Sequence, residues 1–334
     1  MQQSGDWITV RAPARLHLGF VDPGNTSGRR FGSLGMAVSG LDAVVDARAC
    51  DTLQTTGPHA DKLSVIAQRI LETTRARTAV ALRVRSAPPS HAGLGSGTLL
   101  ALTAGTACAR ALGVELSARE LAALAGRGQR SGIGIASFEQ GGFLIDGGRG
   151  PVTALPPLLA RVAFPEDWRV VLVFDERREG LSGVAERAAF GALPAMAPAI
   201  ADELSRRVLL GVLPALHEAD FASFSEHLAA VQRLNGRYFA PAQGGFYSSA
   251  PVGNCLSALA QEFALPGIGQ SSWGPTGFIV TPDVATAERV VAAFEQRAAE
   301  GLRCQIVAGA NSGALHTTDV PSGDAAPVGQ PTPT

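Results

Sequence analysis

Lysine is almost absent from this 334-residue chain. Lys62 stands alone among 28 basic residues, so nearly all the positive charge is guanidinium. Such a bias follows from arginine-rich coding, and it also suits bidentate recognition of phosphate and carboxylate. A strong net charge is missing too: the balance is −1, which excludes the broad basic field of a nucleic-acid-binding protein. The four cysteines, Cys50, Cys108, Cys255 and Cys304, lie far apart in apolar segments and form no CxxC pair. They read as small buried hydrophobes in a reducing compartment. No cluster of His, Cys, Asp and Glu has structural zinc spacing. No 18-residue window is apolar throughout, and the first residues lack the basic and apolar regions of a secretory signal. The expectation is a soluble, cytoplasmic protein with no membrane or nucleic-acid partner.

What is present is enough apolar material, 46% of the residues, for one large or two medium domains. Trp7 to Val10 and Arg15 to Phe20 read as short strands interrupted by Pro13. A loop over residues 21–35 carries Arg29 and Arg30. Met36 to Cys50 reads as one long strand or a hairpin, and helical spacing runs from Asp61 to Ala76. A strand over residues 78–85 leads through a glycine-rich loop into a helix ending near Leu112. Ser117 and Glu120 match a capping box. Phe143 to Asp146 reads as a strand. The proline-rich stretch 151–165 is the candidate boundary between a domain over 1–155 and another over 165–312. The second half predicts a strand over 169–174 and helices near 197–216, 220–235 and 252–263. A strand over 278–281, a helix over 283–299 and a strand over 303–308 follow. Residues 317–334 have the composition of a disordered tail. The pattern is α+β, with no internal repeat.

The stretch most suggestive of chemistry is Gly93, Leu94, Gly95, Ser96, Gly97 and Thr98, between strand and helix. Three glycines allow a close approach of backbone to ligand, and the helix start adds unpaired N–H donors and a positive dipole end. Ser96 and Thr98 can donate hydroxyls to phosphate, and Ser96 can ligate a hydrated Mg2+. A plain βα turn with Ser96 as N-cap has the same spacing. Glycine-rich polar segments recur at 126–134 and 269–277, so three such segments can converge on one ligand.

The order of these motifs resembles the GHMP kinase superfamily. Pro13 to Gly19 resembles its first motif, Pro89 to Thr98 its phosphate loop, and Ser131 to Gly142 its third motif. Gly269 to Gly277 stands in place of its last glycine-rich motif. The resemblance spans roughly residues 7 to 310. It implies two α/β subdomains with the active site between them. The departures are informative. Where those kinases carry an aspartate that handles the acceptor hydroxyl, this chain has Gly134, which can neither take a proton nor pair with a cation. Arg15 replaces the usual first-motif lysine, and the last motif has gained Trp273 and Pro275.

Residues 29–35, 93–98, 127–134 and 270–275 together resemble one branch, the β-ribofuranosylaminobenzene 5'-phosphate synthase family of tetrahydromethanopterin biosynthesis, with related C-nucleoside synthases. The resemblance implies joining phosphoribosyl pyrophosphate to an aromatic acid: 4-aminobenzoate, 4-hydroxybenzoate or a pyrazole carboxylate. CO2 and pyrophosphate leave, Mg2+ assists, and a homodimer is the usual assembly. Leu99 stands where the pterin-pathway enzymes carry glutamine, so the acceptor stays open. On this reading the phosphates fall to residues 93–98 with Arg29, Arg30, Arg127, Arg130, Ser131 and Gly132. Arg15, His17 and Asp175 are the catalytic candidates. Ser271, Ser272, Trp273 and Gly274 face the acceptor, with Trp273 as a stacking wall. An ATP-dependent kinase with its base elsewhere and a silent ligand sensor are the alternatives.

Overall fold

A computed structural model describes residues 6–180, 183–297 and 299–317. The chain begins with β1 (Ile8–Asp22), one strand rather than two short ones, paired antiparallel with β2 (Phe31–Cys50). Pro13 does not break β1, because the register shifts between Ala12 and Ala14, and such a bulge accommodates a residue with no N–H to donate. A second shift falls between His17 and Gly19. The long strand expected over residues 36–50 starts five residues earlier, inside the predicted loop.

Next come β3 (Gln54–Thr56), α1 (Ala60–Thr74), β4 (Ala79–Ser86), α2 (Ser96–Ala111), α3 (Ala118–Leu124), α4 (Ile133–Gln140), β5 (Phe143–Asp146) and β6 (Leu158–Val162). The capping box forms: Glu120 N–H donates to Ser117 Oγ, and Ser117 N–H to Glu120 Oε2. Strand β6 lies within the proline-rich stretch and extends the first sheet beyond β5.

The second half contains β7 (Arg169–Asp175), α5 (Gly183–Ala192), α6 (Pro198–Arg207), α7 (Leu213–His217), α8 (Phe221–Gln243), α9 (Ala250–Phe263), β8 (Ile268–Gln270), β9 (Gly277–Thr281), α10 (Val284–Glu295), β10 (Leu302–Ala308) and β11 (Leu315–Thr317). A π-turn over Val208–Val212 joins α6 to α7, so the single helix expected near 197–216 is interrupted. Helix α8 runs eight residues beyond its expected end. Pro241 lies in its last turn, where loss of one N–H is tolerated.

The architecture is α+β, as expected. One seven-stranded sheet runs β11-β1-β2-β4-β3, with β5 and β6 continuing from β2; a four-stranded sheet runs β10-β7-β9-β8. Thr317 belongs to β11, paired with Thr9; the remainder of the expected tail lies outside the described residues. A continuous core joins both sheets, from Leu16 and Val45 in the first to Leu172 and Val280 in the second. The alternate residues Val171, Val173 and Ile279 pack a second core beneath α9 and α10. The turn before α2 therefore lies close to both β1 and the turn after β8.

Candidate active site

The loop expected to hold phosphate starts α2. Gly93 (φ 84°) and Gly95 (φ 70°) occupy left-handed conformations, and Gly95, not Ser96, is the N-cap. No side chain caps the helix. Three sequence-distant motifs converge on the Gly93 carbonyl. It accepts from Arg15 Nη1 at 2.8 Å and from Ser271 Oγ at 2.7 Å. Ser271 Oγ in turn accepts the His17 N–H at 3.0 Å, and the Ser272 N–H donates to the His17 carbonyl at 3.0 Å. This close approach needs glycine. A Cβ at Gly93 would stand 2.2 Å from the Ser271 oxygen, and one at Gly274 would stand 2.3 Å from Gly93 N.

Around this junction lies a cavity of about 530 Å³, lined by Arg15, Gly93, residues 95–98, Arg127, Arg130, Ser272, Trp273 and Gly274. The Arg127 guanidinium lies within contact distance of Gly97. Arg15 is partly buried, and its buried Nε has no partner among the described residues. Burial lowers its pKa to about 10, opposed by the charge of Glu186. Arg130 Nη2 pairs with Glu186 Oε2 at 2.5 Å, and its guanidinium lies 5.0 Å from the Phe190 ring centroid. Gly134 faces the loop as well, since a Cβ added there would meet Thr98 Cγ2 at 3.4 Å. Gly134, the position that the sequence resemblance matches to the kinase carboxylate, thus lies beside this loop and carries no charge.

Helix α1 adds residues that sequence reasoning missed. His59, Lys62 and Arg69 line the same cavity, and His59 Nε2 lies 3.3 Å from Ser90 Oγ. The only signal for them was the solitary lysine and the helical spacing of 62, 66 and 69. Packing of α1 against α2 determines which way that face looks.

Other expected residues are placed elsewhere. Arg29 donates to the Gly147 and Gly148 carbonyls at 2.7 and 2.9 Å, and Arg30 to the Pro23 carbonyl at 3.3 Å; neither lines the cavity. Pairing of β2 with β5 brings the end of the 21–30 loop to the turn after β5. Ser131 and Gly132 are drawn to buried Asp146, which accepts from Ser131 Oγ at 3.2 Å and Gly132 N–H at 2.8 Å. Asp146 also accepts from Ser33 Oγ and the Gly148 N–H. Burial raises its pKa despite these donors. Asp175, at the end of β7, accepts from Arg177 Nε at 3.0 Å and Ser249 Oγ at 2.8 Å and does not line the cavity. Burial alone would raise its pKa, but those bonds hold it below the usual carboxylate range. It anchors the start of α9, whose N-cap is Ser249.

Trp273, expected as a stacking wall, lines the cavity from within the core. Its ring is buried and stacked on Phe190, with centroids 4.5 Å apart at 11°, while Phe239 meets it edge-on. His17 is buried beside Phe20, and burial with the nearby Arg15 and Arg130 charges lowers its pKa well below 6.5. The ring is neutral at pH 7.

The described residues contain no group of three or more His, Cys, Asp or Glu that could hold a metal. At this loop Ser96 Oγ is the hydroxyl that could ligate a Mg2+, and the lining carboxylate Glu186 is already engaged by Arg130.

Comparison with known proteins agrees with this geometry. Residues 35–142 match the GHMP kinases N terminal domain. The chain is 31% identical to a β-ribofuranosylphenol 5'-phosphate synthase of Methanothermobacter thermautotrophicus, over 83% of this chain and 89% of the relative. It is also 31% identical to the protein of the same name from Archaeoglobus fulgidus, over 82% and 88%. Among solved structures, homoserine kinase from Cytophaga hutchinsonii superposes with a TM-score of 0.64 at 18% identity, covering 95% of this chain and 99% of that one. Mevalonate diphosphate decarboxylase from Staphylococcus aureus gives 0.64 at 14%, covering 93% and 98%.

Proposed function

The chain belongs to the β-ribofuranosylphenol 5'-phosphate synthase family, and from that premise we propose that it joins phosphoribosyl pyrophosphate to an aromatic carboxylate, releasing CO2 and pyrophosphate. One observation carries the reading: a cavity ringed by Arg15, Lys62, Arg69, Arg127 and Arg130 surrounds a phosphate-type loop, yet Gly134 stands where phosphoryl transfer to an alcohol needs a carboxylate. Cations and backbone donors stabilise a leaving pyrophosphate, and no strong base is required because the aromatic ring is the nucleophile.

In this reaction the bond from C1' to the pyrophosphate oxygen breaks with its electron pair leaving on pyrophosphate. The ring carbon bearing the carboxylate forms the new bond to C1'. The carbon–carboxylate bond then breaks, its electron pair returns to the ring, and CO2 departs. Arg15 and Arg127 lie beside the glycine loop to hold the pyrophosphate, and the donors of the loop complete its cradle. Mg2+, carried in with the pyrophosphate and touched by Ser96, would neutralise further charge on the leaving group.

The test is incubation of the full chain with phosphoribosyl pyrophosphate and, separately, 4-hydroxybenzoate, 4-aminobenzoate and azole carboxylates. Pyrophosphate, CO2 and a product of C-riboside mass are expected. Release of ADP from ATP with a small alcohol, and no pyrophosphate from the sugar donor, would overturn the reading.

A further inference from the structure

The phosphate cavity has two cationic walls. Arg15 and Arg127 belong to the glycine loop: a Cβ on Gly95 would meet the Arg15 guanidinium at 2.8 Å, and one on Gly97 the Arg127 guanidinium at 3.4 Å. The other wall is α1. His59, Lys62, Ile66 and Arg69 line the cavity at the three- and four-residue spacing of one helix face. Arg69 is fastened to the end of α3, its Nη1 donating to the Leu124 carbonyl at 2.6 Å. Lys62 lies two turns earlier, about 10 Å along the axis. Among the described residues, no side chain of this wall is bonded to loop residues 93–98.

Lys62 is exposed, and its ammonium has no hydrogen-bond or ion-pair partner among the described residues. The one carboxylate among the described lining residues is Glu186, which Arg130 engages. An unpaired ammonium on a cavity with no free carboxylate draws anions to that wall. His59, one turn earlier on the same face, has its Nε2 3.3 Å from Ser90 Oγ, and Ser90 lines the cavity too. With the proton on Nε2, that bond leaves the Ser90 hydroxyl hydrogen free to donate to a ligand.

We propose that Lys62, with Ser90 and His59, forms a second anion subsite that takes the 5'-phosphate of the sugar donor, separate from the glycine loop that takes its pyrophosphate. The inference rests on the reaction proposed above. That donor carries its two phosphate groups on opposite ends of the ribose, at C5' and C1', so one cradle cannot hold both. A phosphate monoester keeps nearly two negative charges and its acceptor oxygens at pH 7, and the reaction leaves them unchanged. An ammonium and a hydroxyl suit that group from first contact to product. The acceptor carboxylate is the other anion in the reaction, and this wall suits it poorly. Its bond to the ring breaks as neutral CO2 departs, so a cation held against it would stabilise the ground state more than the transition state. Lys62 is therefore a positioning residue for the donor: the ribose spans from α1 to the loop, and C1' lies at the loop end.

The experiment is a calorimetric titration of the full chain with ribose 5-phosphate and, separately, with inorganic pyrophosphate. Lys62→Met should cost about tenfold or more in affinity for ribose 5-phosphate and about twofold or less for pyrophosphate. Lys62→Arg should restore ribose 5-phosphate to within about threefold of wild type, and Arg127→Met should show the reverse preference. Because the Lys62 side chain is exposed, its variants are expected to keep the wild-type thermal midpoint. Equal losses for the two ligands in Lys62→Met, no loss for ribose 5-phosphate, or no binding of ribose 5-phosphate to wild type would overturn the proposal. So would a tenfold loss of 4-hydroxybenzoate affinity in Lys62→Met, which would give this wall to the acceptor. Turnover of phosphoribosyl pyrophosphate is measured in parallel. The selective loss without turnover by wild type would sink the proposed reaction and leave the subsite standing; turnover without the selective loss would do the opposite.

Discussion

At the residue scale, two positions define the chemistry by what they do not carry. Gly134 has no carboxylate beside Thr98, although an added Cβ would make only ordinary contact at 3.4 Å. A Cβ there is therefore tolerated, and under the proposed reaction the glycine keeps a negative charge away from the leaving pyrophosphate. Gly134→Asp is expected to raise the KM for phosphoribosyl pyrophosphate about tenfold or more, with thermal stability nearly unchanged. A donor KM that stays put would remove Gly134 from the neighbourhood of the leaving group. His17 carries no proton charge. Its pKa is lowered well below 6.5 in the folded chain, chiefly by burial, whereas the unfolded chain binds a proton near 6.5. As pH falls below that value the unfolded state gains protons that the folded state refuses, so stability falls by up to ~1.4 kcal/mol per pH unit. The stability difference between wild type and His17→Gln should shrink between pH 7.5 and 5.5, measured by urea unfolding. A constant difference would mean that the folded site accepts the imidazolium.

At the element scale, the site is a meeting of one strand and two turns at one carbonyl. Strand β1 brings Arg15 and His17, the turn before α2 brings Gly93, and the turn after β8 brings Ser271 and Gly274. The contacts are backbone-close, so side-chain bulk is excluded on both sides of the junction. Gly93→Ala adds a Cβ 2.2 Å from the Ser271 oxygen at a residue with φ 84°. It is expected to cost about 1–3 kcal/mol of stability and to weaken inorganic pyrophosphate binding more than tenfold. Wild-type pyrophosphate affinity in the Gly93→Ala chain would contradict the convergence of the three motifs on the ligand. The same element-scale view explains Asp175 and Arg29. Each sits at an element end, where site residues are common, yet each is used there to fasten backbone: Asp175 the start of α9, and Arg29 the turn after β5.

At the scale of the whole molecule, the two sheets share one core, and the second sheet packs a further one on its other face. Leu16, Phe143, Leu172 and Phe278 belong to one buried cluster, and β11 returns to pair with β1. Scanning calorimetry should therefore give one cooperative transition rather than two. Saturating pyrophosphate should shift that transition upward as a unit, by RT ln(1 + [L]/Kd), about 2.7 kcal/mol at a hundredfold excess over Kd. Two transitions, only one of which moves with pyrophosphate, would show that the halves unfold independently.

Local signals in the chain were sufficient for most of the elements and for the glycine-rich turn that starts α2. The capping box at Ser117, the glycines of the loop and the apolar runs of β7 and β9 are determined by neighbours a few residues away. So is the absence of a carboxylate at 134. Tertiary structure decided which arginines face the ligand. Arg15 and Arg130 reach the cavity while Arg29 and Arg30 do not, because the pairing of β2 with β5 pulls the latter two to another turn. It also brought in Lys62 and Arg69, whose helix face has no direction until α1 packs on α2. Likewise it buried the Trp273 ring, because Phe190 and Phe239, far away in sequence, cover it. Side-chain contacts over such separations depend on where the elements meet, and no local pattern along the chain records that.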